Sequence, residues 1–555
     1  MSRSISTKHA YINCNMIRIP EHMDIRLTEV ETQLCTLLDE CTKHLAKKGT
    51  YTSCRIAGGW VRDKLLGYDS HDIDIALENM TGHAFALEFT EFASRVKRLP
   101  VKSVAVVKGN PGQSKHLETA KTTVLGLDLD FVNLRDEAYA DDSRIPTNVT
   151  FGTPLQDALR RDITNKLAIL QRAHEGLDDL KNGIIRTPLP PKQTFLDDPL
   201  RVIRCVRFAS RFGFELVSEL RESARDGEIQ AALLQKITRE RVGEEVDKMM
   251  GGRNPLLSLR LLDDLSLFPL VFHIPQAIES TLSSQPSSPS LALAAVSILR
   301  TFRRPDSSLF RHPPIHPLIL SGLTSSTSVV PRLYMACALT PYRGITSGTK
   351  NHYLDGIPAL FSASEMLKSP DIEGDKFKTP SERVAIAKGC GVSLKGLLLR
   401  HNSVHDAHID AHWTTSLLFS LIQELSHVPP LNPLTESAFL TVDDATKVVE
   451  TYNRFVERVD ELGLQEDVYA KPILDGHEIV RILGAPKPGQ WTGKVLAEVI
   501  KWQLDHPGET KGQCGEWLKA GLAAGRISIE DVAPNTEAKR QRRGLKGTAA
   551  KKTRT

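Results

Sequence analysis

Two short segments near the start constrain this chain more than anything else in it: Arg55-Ile-Ala-Gly-Gly-Trp-Val-Arg62, then His71-Asp-Ile-Asp-Ile-Ala76. The pattern predicts a strand, a double-glycine turn, a short helix and a second strand carrying two acids. Strand side chains alternate, so Asp72 and Asp74 share one face while Ile73 and Ile75 share the other. Two carboxylates so arranged can hold two hard divalent cations over a phosphate chain. Gly58 and Gly59 let backbone N–H groups approach a triphosphate closely. Either segment alone is ordinary turn-and-strand chemistry. Their order, with Arg62 and Asp63 just after the glycines, points to a nucleotide site.

Two further segments carry chemistry. Arg160-Arg-Asp-Ile-Thr-Asn165 opens a helix-like run in which Arg161 and Asn165 share a face. Guanidinium forks suit triphosphate oxygens, and Asp162 can accept from a ribose 2′-hydroxyl. In Asp197-Asp-Pro-Leu-Arg201-Val-Ile-Arg204-Cys-Val-Arg207-Phe208, proline is expected at the first helical position and Asp198 at the N-cap. Asp198 and Arg201, three residues apart, then lie side by side. Arg204 and Arg207 extend the basic series, with a salt-bridged scaffold role equally open to Arg207.

These segments resemble the nucleotidyltransferase superfamily, and within it the class II CCA-adding enzymes and the related bacterial-type poly(A) polymerases. The resemblance is strong over about residues 50 to 250 and weak beyond. It implies two Mg²⁺ ions on Asp72 and Asp74, one acidifying the tRNA 3′-hydroxyl and one neutralising the triphosphate. Asp130, in Asp128-Leu-Asp130-Phe-Val, resembles the third acid of the family, with Asp128 as a competing choice. Gly58, Gly59, Arg62, Arg160, Arg161, Asp162, Asn165, Arg204 and Arg207 would line the nucleotide. Asp198 and Arg201 match the family's EDxxR motif, with Asp197 in place of Glu. Arginine donors and a carboxylate acceptor complement the pairing edges of cytosine and adenine. Uracil and guanine leave groups unpaired, at roughly 1–3 kcal/mol each.

Gly176–Gly183 resembles a hinge between head and neck, read as a tight turn. Thr238-Arg-Glu-Arg241 resembles the motif that braces the base-reading helix. Lys471–Glu478 and Pro488–Lys494 resemble the eukaryotic tail, where Lys487, Lys494 and Lys501 would meet RNA phosphates. The activity so implied is template-independent addition of CCA to tRNA from CTP and ATP, releasing pyrophosphate. A poly(A) polymerase or a partial CC- or A-adding enzyme is the alternative within the family. A non-catalytic RNA-binding protein is the alternative outside it. The partners are a tRNA lacking CCA and the two nucleotides, with a monomer favoured.

The fold expected is α+β: an α/β head with a small mixed sheet at 25–155, then helical neck (156–260), body (261–440) and tail (441–530). The 71 basic and 67 acidic residues leave a net charge of only +4, so any RNA surface is a local patch. No apolar run reaches the roughly 18 residues a membrane span needs. Eight scattered cysteines without a CxxC pair read as reduced thiols of an intracellular protein. Residues 1–24 fit a mitochondrial targeting segment, with Met16 and Met23 as further starts, and the basic 531–555 fits a nuclear signal or an RNA-clinging arm. Mitochondrial, nuclear and cytoplasmic forms are therefore expected. His401, His405, His408 and His412 read as a solvated polar face rather than a metal site.

Overall fold

The computed structural model describes residues 17–70, 72–107, 119–139, 146–163, 173–274, 279, 282–304, 313–343, 345, 412–427, 442–461, 463–465 and 469–529. The N-terminal segment before residue 17, Asn165, His401, His405, His408 and the basic tail from residue 530 lie outside the described residues.

Helix α1 (Glu29–Lys47) starts on the expected capping box, in which Thr28 and Glu31 satisfy each other's backbone donors. Its Leu34, Leu37, Leu38, Cys41 and Leu45 are buried. A mixed sheet follows, built from β1 (Cys54–Ala57), β2 (Asp72–Leu77), β3 (Ala105–Val107), β4 (Thr119–Val124) and β5 (Leu127–Asn133), in the order β1-β2-β5-β4-β3. Only β2 and β5 run parallel. One face buries Ile73, Ile75, Leu129 and Phe131 against Phe85 and Phe89 of α3 (Gly82–Glu91). The other carries the acids. Helix α2 (Gly59–Leu65) springs directly from the glycine turn and packs on β1 and β2.

Two local expectations shift. The pattern of Val101–Val107 predicts a strand, but the strand begins at Ala105, and Val101 makes an isolated bridge to Val124. A hairpin of β6 (Arg135–Tyr139) and β7 (Pro146–Phe151) has no counterpart in the sequence reading, because Arg-Asp-Glu at its start lacks any apolar alternation.

The helical part differs at its beginning. Apolar residues three and four apart predict a helical run over 155–175, but it opens with a short α4 (Pro154–Leu159), so Arg160 caps a helix end and Arg161 and Asp162 lie in a bend. The hinge-like Gly176–Asn182 is helical within α5 (Ala173–Asn182). Gly183, at φ 65°, ends it before β8 (Ile184–Ile185), which pairs with β9 (Glu215–Leu216). The unexpected α6 (Pro191–Asp197) precedes α7 (Leu200–Phe212), which stops at left-handed Gly213. Then come α8 (Ser218–Ala224), α9 (Gly227–Lys236), α10 (Arg239–Met250), α11 (Pro255–Asp264), α12 (Ser290–Phe302) and α13 (Val329–Ala338).

Two compact units result. The first joins Met1–Pro305 to Val330–Ser364 and Leu431–Ala438. The second, Asp306–Val329 with Glu365–Pro430 and Phe439–Thr555, contains α14 (Trp413–Leu425), α15 (Val442–Glu461), α16 (Gly476–Ile482), α17 (Gln490–Asp505) and α18 (Lys511–Ala523). The last three enclose a core of Leu474, Ile479, Val495, Val499 and Leu518, in which Trp491 and Trp502 are buried as packing residues. Among the described residues no helix is long and apolar enough to cross a membrane.

Candidate active site

Parallel pairing of β2 with β5 sets Asp72 opposite Asp128 and Asp74 opposite Asp130. All four carboxylates therefore project from one face of adjacent strands, roughly 5 Å apart. Asp130 is the neighbour of Asp74, and Asp128 is the neighbour of Asp72. Each side-by-side pair repels by roughly 1–3 kcal/mol, depending on how much water screens it. The sheet offsets this from its next strand. Thr123 Oγ1 donates to Asp128 Oδ1 at 2.8 Å, and Lys121 Nζ donates to Asp130 Oδ2 at 2.5 Å. The hydrogen bond to Asp130 holds the Lys121 ammonium above its ordinary pKa; partial burial opposes it, and the fields of Asp130, Asp72 and Asp74 reinforce it.

Gly58 stands at φ 77°, ψ −141° as the N-cap of α2, a conformation that only glycine adopts readily. A Cβ there would collide with the Asp74 carboxylate. The turn and the second acid are thus fitted to each other.

The acidic face offers hard oxygen donors, and the Lys121 ammonium offsets the charge of one of its four carboxylates. Among the described residues no three acidic, histidine or cysteine side chains converge closely enough to cage an ion. Such a face suits a small hard cation that takes one or two carboxylates and completes its shell with water and substrate phosphate.

The expected nucleotide-binding arginines are mostly engaged with acids of the protein. Arg62, expected on the triphosphate, is buried below the glycine turn, where its Nε and Nη2 donate to Asp63 Oδ1 at 2.8 and 2.6 Å. Its guanidinium lies over the rings of Phe212 (4.8 Å) and Phe208 (5.6 Å) of α7. Burial pulls its pKa below the ordinary value; Asp63 opposes the shift, and Arg211 and Arg207 add to it. Asp63 also accepts from Arg211 Nη2 at 3.3 Å, so α2 and α7 are locked together at the foot of the turn. A buried guanidinium needs such a carboxylate.

Arg160 and Arg161 both donate to the buried Asp157 of α4, Arg161 Nη2 at 2.7 Å. Burial works against the Asp157 charge, but Arg161 and Arg160 outweigh it and hold the carboxyl below its ordinary range. Asp162 and Arg204, expected to face ribose and triphosphate, face each other at 2.6 Å. Arg204 also lies 3.6 Å from Glu245 of α10, which accepts from Arg207 Nε at 2.5 Å. Burial disfavours the Arg204 charge, yet Asp162 and then Glu245 more than compensate and raise its pKa. Arg207 is thus salt-bridged to Glu245, the arrangement that its scaffold reading expects.

The pair expected to read the base, Asp198 and Arg201, sits where α7 begins. The helix starts one residue later than expected, with Pro199 as cap. Asp198 Oδ1 still accepts from the Leu200 backbone N–H at 3.3 Å, and its Oδ2 accepts from Arg241 Nη2 at 3.1 Å. Arg241 thus orients Asp198 directly, while its buried Nη1 has no hydrogen-bond partner among the described residues. Arg201 is buried and commits one N–H to the Thr194 carbonyl at 3.2 Å. From Arg201 to Phe208, whose ring meets Arg62, is seven residues, or about 10 Å along the helix axis.

In the second unit Lys487 and Lys494 are exposed on either side of the α17 start, while Lys501 pairs with Glu498 at 2.6 Å. Residues that the sequence reading did not assign are Lys121, Asp157 and Glu245. Only Lys121 left a local signal, as a basic position alternating on the strand before the acids.

The family model described as the poly A polymerase head domain matches residues 54–186. The model for a probable RNA- and SrmB-binding site of polymerase A matches residues 213–279. The mitochondrial CCA tRNA nucleotidyltransferase of Candida glabrata is 35% identical over 530 residues, covering 90% of this chain and 96% of the relative. Its namesake from Saccharomyces cerevisiae is 32% identical, covering 90% and 94%. Among solved structures, a CCA-adding enzyme in an apo form superposes with a TM-score of 0.53 at 19% identity, over 90% of this chain and 97% of that one. That likeness agrees with the sheet-plus-helices architecture.

Proposed function

The chain belongs to the tRNA nucleotidyltransferase family of CCA-adding enzymes, and from that premise we propose that it completes tRNA 3′ ends with CCA from CTP and ATP, without a nucleic-acid template. At each step the 3′-oxygen of the tRNA bonds to the α-phosphorus of the nucleotide, and the bond to the β-phosphate breaks to release pyrophosphate. Family membership implies a divalent metal, and Asp72 and Asp74 are the residues we assign to Mg²⁺, with Asp130 beside them. When bound, Mg²⁺ would acidify the attacking hydroxyl and neutralise charge on the triphosphate and the leaving pyrophosphate.

The chain's own residues divide the remaining work. Gly58 and Gly59 let the backbone approach the phosphates. Arg160 and Arg161 on Asp157, and Arg204 on Asp162, present guanidinium groups already held in place, and Arg62 stiffens the turn from below. A ribose 2′-hydroxyl reaching Asp162 would share it with Arg204. Asp198, aimed by Arg241, and Arg201, aimed by Thr194, form the donor–acceptor edge that C and A satisfy and U and G do not. The observation that carries this reading is the continuous packing from Asp74 against Gly58, through Arg62, to the α7 rings.

Lys487 and Lys494 are assigned to tRNA phosphates, and the head, neck, body and tail division remains our working one. Two fungal relatives carry mitochondrial names, so a mitochondrial location is proposed here, with nuclear and cytoplasmic forms beside it. The test supplies each nucleotide singly and in pairs to a tRNA transcript lacking CCA. CMP addition from CTP, then AMP once ATP is added, is expected. UMP incorporation at a rate like that of CMP would overturn the base-reading assignment. Long tails from ATP alone on arbitrary RNA would identify a poly(A) polymerase instead.

A further inference from the structure

Across the sheet, β4 and β5 pair Lys121 with Asp130, and β5 and β2 pair Asp130 with Asp74. Lys121, Asp130 and Asp74 therefore form one row on one face, with Thr123, Asp128 and Asp72 as the next row. Lys121 brings a cation to this face: its ammonium lies 2.5 Å from Asp130 Oδ2, with the lysine side chain 53% exposed and the aspartate 19% exposed. Exposed lysines on a strand commonly point into solvent. This one leans onto a carboxylate that is itself flanked by another.

The geometry points to Lys121 as a positioning residue that acts through Asp130: a resident counter-cation that balances the acidic face while no metal is bound and keeps the free enzyme's affinity for divalent metal low. The inference rests on the reading of Asp72 and Asp74 as the metal ligands. Its physical basis is simple. A divalent ion arriving at Asp74 meets an Asp130 whose charge is already half spent on the ammonium, and it is repelled by the ammonium as well. A nucleotide triphosphate brings compensating negative charge, so the metal is favoured when it arrives with the nucleotide. The consequence is an enzyme that loads metal mainly with its substrate.

The experiment measures Mn²⁺ binding to the full-length protein without nucleotide, by the loss of the free Mn²⁺ signal in electron paramagnetic resonance. Four proteins are compared: the parent, Lys121→Met, Lys121→Arg and Asp74→Asn. Lys121→Met should bind Mn²⁺ on the order of tenfold more tightly than the parent. Lys121→Arg should behave like the parent, because it keeps the charge in place. An unchanged or weakened affinity in Lys121→Met, with Asp74→Asn losing Mn²⁺, would overturn the role of Lys121 alone. Undiminished Mn²⁺ binding in Asp74→Asn would overturn the metal reading beneath it. A merely structural role for Lys121 would lower melting temperature in both lysine variants without tightening Mn²⁺ binding, and that outcome also counts against the inference.

Discussion

Gly58 admits no side chain. Its positive φ and the carboxylate of Asp74 against its α-carbon leave no room for a methyl group. Gly58→Ala should therefore cost about 1–3 kcal/mol in backbone strain, and should displace Asp74 enough to lower kcat for CMP addition by about two orders of magnitude. Steady-state extension beside a melting curve separates the two effects. Asp157 makes a different prediction. Its folded-state pKa lies below the ordinary value of 3.8 because Arg161 and Arg160 overcome the burial penalty. The stability it contributes is thus present above the unfolded pKa and lost as pH falls through the folded one. Unfolding between pH 5 and about 2 should show a falling limb that is shallower in Asp157→Asn, and that variant should be the less stable of the two at pH 7. Neither role is visible from residue type alone. Asp157 reads as one more surface acid on an amphipathic turn until Arg160 and Arg161 fold back onto it.

At the scale of elements, α7 is held by acids from three directions: Asp162 from the bend after α4, Glu245 from α10 and Asp63 from α2. Glu245 answers two arginines while almost fully buried. Glu245→Ala leaves Arg204 and Arg207 facing an emptied site and should cost about 3–5 kcal/mol, read as a lower denaturant midpoint. Glu245→Gln, which keeps the hydrogen-bonding shape, should recover part of that. The elements themselves were largely legible. Period-2 alternation marks β2 and β5, period-3.6 spacing marks α1, α7 and α10, and glycine punctuation marks the turn before α2. The partners were not. Asp162 and Arg204 are 42 residues apart, and Arg207 and Glu245 are 38 apart, so no local window joins them. The same limit explains Arg62, which the motif assigns to phosphate until the rings of α7 arrive beneath it. The hairpin of β6 and β7 escaped because its polar start lacks alternation, and α6 because seven residues are too few for a periodic signal.

For the whole molecule, the two compact units carry separate tasks in the proposed reaction, and salt distinguishes them. Lys487 and Lys494 are exposed, whereas Lys501 is spent on Glu498. Replacing the first two by alanine should weaken tRNA binding and reduce the slope of log K against log salt by about 1.4 to 1.8, while Lys501→Ala changes it little. Binding isotherms at several salt concentrations check this, and the CTP-to-UTP preference should stay as it was. The change from strands to mostly helices after Phe151 was readable from the change of hydrophobic period near residue 155. The course of the chain between units was not, since it depends on contacts far apart in sequence. One consequence reaches beyond any single contact. Because α7 carries the proposed base reader Arg201 and is anchored at Phe208 against Arg62 below the glycine turn, the interval between them is, in that reading, a gauge cut from helical pitch. Inserting one residue there would swing the reading side chain by about 100° and preserve every ion-pairing partner in kind. In the proposed reaction, choice of nucleotide therefore depends on counting as well as on chemistry.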